Sequence, residues 1–168
     1  MPWVLILACE SWAVRDTRTA MTLAIASDHG GVALKAVILQ ALNSWGVACE
    51  DLGTNSETSC DYPDFAHRLA VGVEDGTYER GILVCGTGIG MSIAANRHPG
   101  VRAAAVSDTF SARLSREHNH SNVLCLGQRV VGPGLALDIV KAWLDAVVDQ
   151  DPRHLGRLRK INPLRDAT

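Results

Sequence analysis

From Thr22 onward the chain alternates short apolar runs with longer amphipathic stretches, and this alternation constrains the fold more than any other feature. Several of the short runs are apolar throughout, which is typical of strands that helices cover on both faces. Five such runs are separated by helix-length segments, so consecutive strands are expected to run parallel through right-handed crossovers. The sequence therefore predicts an α/β fold, a three-layer α/β/α sandwich around a five-stranded, parallel, Rossmann-like sheet.

The same pattern predicts where the elements lie. The expected strands are residues 22–26, 47–51, 81–84, 101–106 and 123–126. The expected helices are residues 32–45, 62–75, 91–96, 109–117, 133–148 and 152–161. In such sheets ligands bind beyond the carboxyl ends of the strands, near the point where the strand order reverses. The residues that follow each strand are therefore the candidates for function.

Size, charge and cysteine content narrow the class of protein. The chain has 168 residues, a length typical of one domain. Its 16 basic and 18 acidic residues give a net charge of −2, so nucleic acid and membrane surfaces are not expected as partners. The five cysteines form neither a Cys-x-x-Cys pair nor a zinc-type spacing with histidines. We predict a reducing, cytoplasmic location.

The first twenty residues differ in character from the rest of the chain. Their apolar run, residues 3–9, is too short to cross a bilayer, and no basic residue precedes it as a signal peptide requires. A clean strand pattern begins only after Met21. We therefore expect an N-terminal extension over residues 1–20 and a single domain over residues 21–168.

Two glycine-containing loops follow predicted strands. Residues 28–31 (DHGG) precede a helix whose N-terminus attracts anions, although Asp28 as a helix cap and His29 as a solvated residue explain this segment equally well. Residues 85–90 (CGTGIG) contain three alternate glycines whose backbone N–H groups would converge on an oxyanion or a phosphate. Cys85 is either a small buried core residue or, beside such donors, a thiolate base or nucleophile.

Two other kinds of loop begin in the same way. A dinucleotide-binding loop would follow the first strand and carry a third glycine where this chain has Met91, so only Asp108, which imitates the ribose-binding acid, keeps that interpretation open. A cysteine-dependent phosphatase loop would carry an arginine six residues after Cys85, and Met91 occupies that position too. The phosphatase hypothesis is therefore excluded.

Polar and basic residues gather in the later part of the chain. The stretch SREHNHSN ends the fourth predicted helix, where His118 is either a C-terminal cap favoured by the helix dipole or a functional group. Arg129 follows the fifth strand as a surface charge or an anion ligand. Arg153 and Arg157 fall on one face of the last helix with His154 beside them, and a solvated face explains them as well as a phosphate clamp does.

Together these motifs resemble the type B ribose-5-phosphate isomerases, a family that also includes allose- and galactose-6-phosphate isomerases. The resemblance is carried by Asn96 and by residues 28–31 (DHGG), 61–63 (DYP), 85–90 (CGTGIG), 118–119 (HN), 122–124 (NVL), 127–132 (GQRVVG) and 153–157 (RHLGR). These motifs occur in order between residues 21 and 161, and residues 1–20 lie outside the match.

The resemblance implies an aldose–ketose isomerase without metal or cofactor that works through a cis-enediolate. Cys85 would be the base that moves a proton between C1 and C2, Thr87 would relay protons between the two sugar oxygens, and His118 would open the furanose ring. Some members of the family replace the cysteine by a glutamate just after the glycine loop. This chain has Met91 there and therefore resembles the cysteine branch.

The remaining implied roles concern substrate binding. Asp28 and Asn119 would bind sugar hydroxyls, and the N–H groups of Gly86, Gly88 and Gly90 would hold the enediolate charge. Tyr62 would line the pocket. The implied phosphate ligands are His29, Arg129, Arg153 and Arg157.

The resemblance also implies a homodimer, or a dimer of two such dimers, with composite active sites for a small sugar phosphate. One subunit would complete the site around Cys85 of the other with five residues: His118, Asn119, Arg129, Arg153 and Arg157. The reaction we predict is interconversion of ribose 5-phosphate and ribulose 5-phosphate, with allose or galactose 6-phosphate as the alternative substrate, since the sequence does not fix which sugar phosphate is preferred. A nucleotide-binding module without catalysis is the alternative from another functional class.

Overall fold

The strands form one parallel sheet. The computed structural model of the chain describes residues 22–161, and the extension expected over residues 1–20 lies outside them. The strands are β1 (Leu23–Ser27), β2 (Cys49–Asp51), β3 (Arg80–Cys85), β4 (Ala103–Ala105) and β5 (Val123–Gly127). They are hydrogen-bonded in the order β2-β1-β3-β5-β4, and every neighbouring pair is parallel. The prediction of a five-stranded parallel sheet is confirmed.

Helices cover both faces of this sheet. They are α1 (Val32–Ser44), α2 (Tyr62–Glu74), α3 (Ile89–Ala95), α4 (Thr109–Asn119), α5 (Pro133–Asp145) and α6 (Pro152–Ile161). A short 3₁₀ turn, His29–Gly31, precedes α1. Among residues 22–161, no helix has the length and apolar character needed to cross a membrane.

The core has two parts because successive residues of the central strands face opposite layers. On one face, side chains such as Ile25 and Ile82 pack against α1 and α5, where Trp143 is fully buried. On the other face, Ala26 and Leu83 pack against α2 and α3. Strands β1 and β5 are buried at every position, as expected for strands with both faces covered. The predicted three-layer α/β/α sandwich is confirmed.

The observed boundaries depart from the predicted ones mainly in the edge strands and at helix ends. Strand β4 has three residues instead of the predicted six, because an edge strand pairs on one side only and stays half exposed. Helix α3 begins two residues early, directly after Gly88, whose φ of +79° starts the turn. Helix α5 ends at Asp145 instead of residue 148 because Ala146 is extended, with ψ of 128°.

The strand order reverses between β1 and β3, and this switch point places the site. Strand β2 lies outside β1, whereas β5 and β4 lie on the far side of β3. Ser27 is paired with Val84 in the parallel register. Consequently the two glycine-containing loops that follow Ser27 and Cys85 leave the sheet side by side, where ligands bind in folds of this type.

Candidate active site

Asp28 presents a carboxylate oxygen without a protein partner at the switch point. The residue is 6% exposed, and its Oδ1 atom accepts no hydrogen bond within the described residues. Its side chain does not cap the following 3₁₀ turn, so the helix-cap interpretation of Asp28 is wrong. A side chain at Gly30 would stand 3.4 Å from that Oδ1 atom and 3.5 Å from the amide nitrogen of Gly86. The carboxylate and the second loop therefore border one space.

Cys85 ends β3 with its sulfur inside the glycine loop. The residue is 5% exposed, and the amide of Gly88 donates to its Sγ atom across 3.1 Å. Gly88 has a φ of +79°, and a side chain at this position would press on the backbone of Leu126. Thr87 is exposed at the tip of the loop, and its Oγ1 atom accepts from the amide of Ile89 across 3.4 Å.

Tyr62 and Arg129 lie on two sides of the glycine loop. A side chain at Gly90 would stand 2.7 Å from the Tyr62 ring, so only glycine lets that ring approach. The guanidinium of Arg129 lies 3.6 Å from the position that a Gly86 side chain would take, and its amide donates to the Gly86 carbonyl across 3.0 Å. Arg129 therefore borders the Cys85 loop of its own chain.

His29 is oriented by the backbone of Cys60. Its Nδ1 atom lies 3.2 Å from both the amide nitrogen and the carbonyl oxygen of Cys60, so either tautomer finds a partner. Cys60 directly precedes Asp61 and Tyr62, and this position beside a family motif was the only sequence signal for it. We call the residues gathered here the Cys85 cluster: Asp28, His29, Tyr62, Cys85, Gly86, Thr87, Gly88, Gly90 and Arg129.

The remaining candidates form a second group at the other end of the molecule. His118 lies in the last turn of α4, and its ring stacks on that of His154 with centroids 4.2 Å apart and planes at 14°. The Nε2 atom of His154 lies 3.6 Å from Oδ2 of Asp149 and 3.4 Å from Nη2 of Arg153. We call this group, together with Arg157 one turn further along α6, the His118 cluster: His118, Asn119, Asp149, Arg153, His154 and Arg157.

The two clusters lie beyond opposite ends of the sheet. Cys85 is paired with Gly127 at the carboxyl end of β5, whereas α4 ends at Asn119, four residues before β5 begins. Five residues of strand span roughly 13 Å. A cavity of about 520 Å³, lined by Asn119 and Ile161, opens on the amino-end side. One chain therefore does not bring His118 to its own Cys85.

Half-buried arginines anchor the amino end of the sheet. Arg80 donates to the carbonyl of Leu144 across 2.9 Å, and Arg116 donates to that of Ser121 across 3.1 Å. Burial, followed by the charge of Arg80, lowers the pKa of Arg116 to about 10. Arg80 therefore binds a carbonyl in the last turn of α5, and Arg116 binds one just after α4 and so holds the end of the helix that carries His118.

Three other polar residues have structural roles. Asp108 caps α4 by accepting from the amide of Ser111 across 2.7 Å, which removes the only support for a dinucleotide-binding loop. Asn96 pairs with both backbone groups of Ala103, and Asn122 accepts from the amide of Arg102. These two asparagines hold the edge strand β4 and the residue that precedes it by hydrogen bonds.

One group of side chains has the composition of a metal site. His118, Asp149 and His154 offer ligand atoms within 4.8 Å of one another, and they are the only such group among residues 22–161. The lone pairs of imidazoles lie in the ring planes. Because the two stacked planes are nearly parallel, their nitrogen atoms do not converge on one cation. The arrangement therefore fits a packed histidine pair and not a metal centre.

Comparison with known proteins identifies the family of this chain. The profile of the family described as Ribose/Galactose Isomerase matches residues 23–161. The chain belongs to this family. A ribose-5-phosphate isomerase B of Escherichia coli (strain K12) is 46% identical over 142 residues, which make up 84% of this chain and 95% of that protein.

Solved structures of Ribose/Galactose Isomerase family members share the fold. A ribose-5-phosphate isomerase B from Clostridium thermocellum is 49% identical with a TM-score of 0.83 and covers 87% of this chain and 98% of its own. A second one, from Mycoplasma genitalium with bound ribulose-5-phosphate, is 39% identical with a TM-score of 0.83 and covers 89% and 99%. The family resemblance inferred from the motifs is confirmed.

Proposed function

We propose that the protein interconverts ribose 5-phosphate and ribulose 5-phosphate. The observation that carries this proposal is the buried Cys85 sulfur, 3.1 Å from the Gly88 amide, beside the unpartnered carboxylate oxygen of Asp28. A base, N–H donors and a hydroxyl acceptor around one space are what proton transfer next to a carbonyl requires. The E. coli relative's name and the ribulose-5-phosphate in the M. genitalium structure support the substrate.

Ring opening is the first chemical step in this proposal. Ribose 5-phosphate is a furanose, in which C1 is bonded to O4. His118 gives a proton to O4 as the C1–O4 bond breaks, and Asp28 takes the proton from the hydroxyl on C1 as the aldehyde forms. Asp28 suits this role because its Oδ1 atom is buried and accepts no hydrogen bond from the described residues.

Proton transfer between carbons follows. Cys85 as the thiolate takes the proton from C2, which leaves an enediolate, and returns it to C1 to give the ketose. The loop N–H groups hold the negative charge on the oxygens, and Thr87, exposed at the loop tip, moves a proton between O1 and O2. A loss of about 100-fold in rate is typical when such a donor or base is removed.

The composite dimer is part of the proposal. His118 lies beyond the opposite end of the sheet from Cys85, so a second copy is needed to bring the two clusters together. Exposed apolar side chains surround the Cys85 loop, with Ile89 57%, Ile93 58% and Val130 55% exposed. Such residues suit an interface with a second copy, and a two-fold axis makes the exchange of clusters reciprocal.

We infer a different assignment for one residue in this dimer. Arg129 was expected from the partner subunit, but its amide donates to Gly86 and its guanidinium lies over the Cys85 loop of its own chain. It follows Gly127 at the carboxyl end of β5, which is the Cys85 end of the sheet. We therefore assign His29 and Arg129 from one subunit, and Arg153 and Arg157 from the other, to the phosphate.

Two further points belong to the proposal. The family description names galactose as well as ribose, so a six-carbon sugar phosphate is the second candidate substrate. The thiolate base needs a free thiol, and Cys85 forms no disulfide with another described cysteine. A reducing, cytoplasmic location suits this requirement.

Turnover of a set of sugar phosphates by the purified protein tests the proposal. We expect ribose 5-phosphate to become ribulose 5-phosphate, with deuterium from solvent entering the product at C1, and we expect the rate to survive thorough chelation. Allose 6-phosphate and galactose 6-phosphate are the comparison substrates. Preferred turnover of either would replace the five-carbon assignment, and nucleotide binding without any turnover would replace isomerisation altogether.

A further inference from the structure

His118 is held from one side by its own chain. The imidazole of His154 stacks against it with centroids 4.2 Å apart, and the two planes differ by 14°. His154 is 5% exposed, so its ring has little freedom to move. Helix α6 thus supplies a flat, buried surface on which the functional ring of α4 rests.

Asp149 lies next to the buried His154. Its Oδ2 atom lies 3.6 Å from Nε2 of His154, and its own amide donates to the carbonyl of Glu117 across 2.9 Å. Glu117 is the neighbour of His118 in the sequence. The carboxylate is therefore tied to the backbone of α4 and contacts the ring that packs against His118. No motif in the sequence joins these three residues.

Orientation matters because a proton is transferred only along a well-aligned hydrogen bond. Displacing a catalytic group by about 1 Å costs up to about 100-fold in rate. In the composite site His118 reaches across to a substrate bound on the other subunit's loop, so its own chain must fix the direction of its ring. We propose that His154, oriented by Asp149, is a positioning residue for His118 in ring opening.

This inference rests on the proposed function and separates two half-reactions. Ring opening interconverts the α- and β-furanose anomers of ribose 5-phosphate through the open aldehyde. Proton exchange at C1 of ribulose 5-phosphate needs no ring opening, because this ketose has its O5 blocked by phosphate and is acyclic. A positioning residue for His118 affects the first reaction and spares the second, whereas general damage to the protein affects both.

The first measurement is anomer exchange of ribose 5-phosphate by NMR, in a Cys85→Ala background that does not consume the substrate. We expect His154→Leu to slow this exchange at least about 10-fold, because the side chain that orients His118 is lost. His154→Phe keeps a flat ring for stacking and should retain more exchange than His154→Leu. Asp149→Asn should slow it in the same direction, and Asp145→Asn, which changes an exposed pair with Lys141, is the matched control.

The second measurement is deuterium entry at C1 of ribulose 5-phosphate, with Cys85 present. We expect His154→Leu and Asp149→Asn to stay within about 2-fold of wild type, since the loop that carries Cys85 is untouched. Unchanged anomer exchange in both variants, or an equal fall of both half-reactions, would overturn the inference. If His154→Leu does not fold, Asp149→Asn decides alone. A wild-type protein that catalyses neither half-reaction would overturn the proposed function instead.

Discussion

The position along the strand distinguishes the cysteine proposed as the base from a core cysteine in this sheet. Cys85 and Cys125 lie on neighbouring strands, and both are buried. Burial raises the pKa of Cys125 above its ordinary value, so that thiol stays protonated. Cys85 comes at the end of its strand, where the Gly88 amide contacts its sulfur. One residue type therefore serves as core filling at one position and as the proposed base at the other.

The first prediction concerns this pair. Cys85→Ala should lower kcat for ribose 5-phosphate by at least about 100-fold, because it removes the base, and should change KM much less. Cys125→Ala removes a buried thiol of the same size and should keep kcat. Steady-state kinetics on both variants decide the matter. A Cys85→Ala variant with kcat near that of wild type would place the base elsewhere.

Short motifs made much of the residue-level site predictable. The pairing of DHGG with CGTGIG implied one site because both follow strands, and the structure places the two loops side by side. The partners Cys60 and Asp149 were not predictable, because the contacts of Cys60 with His29 and of Asp149 with Glu117 join residues 31 and 32 positions apart, respectively, through tertiary packing. Local spacing carries no signal for such contacts.

At the scale of elements, the central strands were predictable and the edges were not. Apolar runs placed β1, β3 and β5 within one or two residues because burial on both faces demands an unbroken apolar stretch. Strand β4 is shorter than its apolar run, since only β5 pairs with it. The strand order β2-β1-β3-β5-β4 could not be predicted from the sequence either, because strand neighbours depend on packing between distant segments.

The second prediction concerns the helix that carries His118. Asp108 caps α4, and the hydrogen bond from the Ser111 amide lowers the pKa of this carboxyl below 3.8. A carboxyl whose pKa is lowered in the folded state stabilises the fold at pH values above its unfolded-state pKa. That stabilisation is lost as the pH falls through the folded-state pKa. Asp108→Ala should therefore lower Tm by roughly 2–4 °C at neutral pH.

Thermal unfolding over a pH series checks this sign. The gap in Tm between wild type and Asp108→Ala should shrink as the pH falls below 3.8. Asp138→Ala, which removes an exposed carboxylate within α5, is the control and should show no such gap. A gap that widens on acidification would mean that the Asp108 carboxylate does not stabilise α4.

At the scale of the whole molecule, the location of each residue relative to the two ends of the sheet decides which subunit would supply it in the proposed dimer. Parallel strands put the residue after each strand at one end and the residue before each strand at the other. Cys85 and Arg129 follow β3 and β5, whereas His118 precedes β5. The resemblance alone grouped Arg129 with His118, and the sheet register separates them.

The last prediction tests that division by mixing inactive variants and allowing subunits to exchange. A mixture of the Cys85→Ala and Arg153→Ala variants should regain activity. Each mixed dimer contains one site with both defects and one site with neither. Random pairing makes half the dimers mixed, so activity should approach about one quarter of wild type.

Arg129→Ala is the matched variant that the structure provides. It should restore activity with Arg153→Ala but not with Cys85→Ala, since Arg129 and Cys85 belong to the same cluster. Restored activity in the mixture of Arg129→Ala and Cys85→Ala would mean that the partner subunit supplies Arg129. If no pair restores activity although subunit exchange is demonstrated, the composite site is wrong.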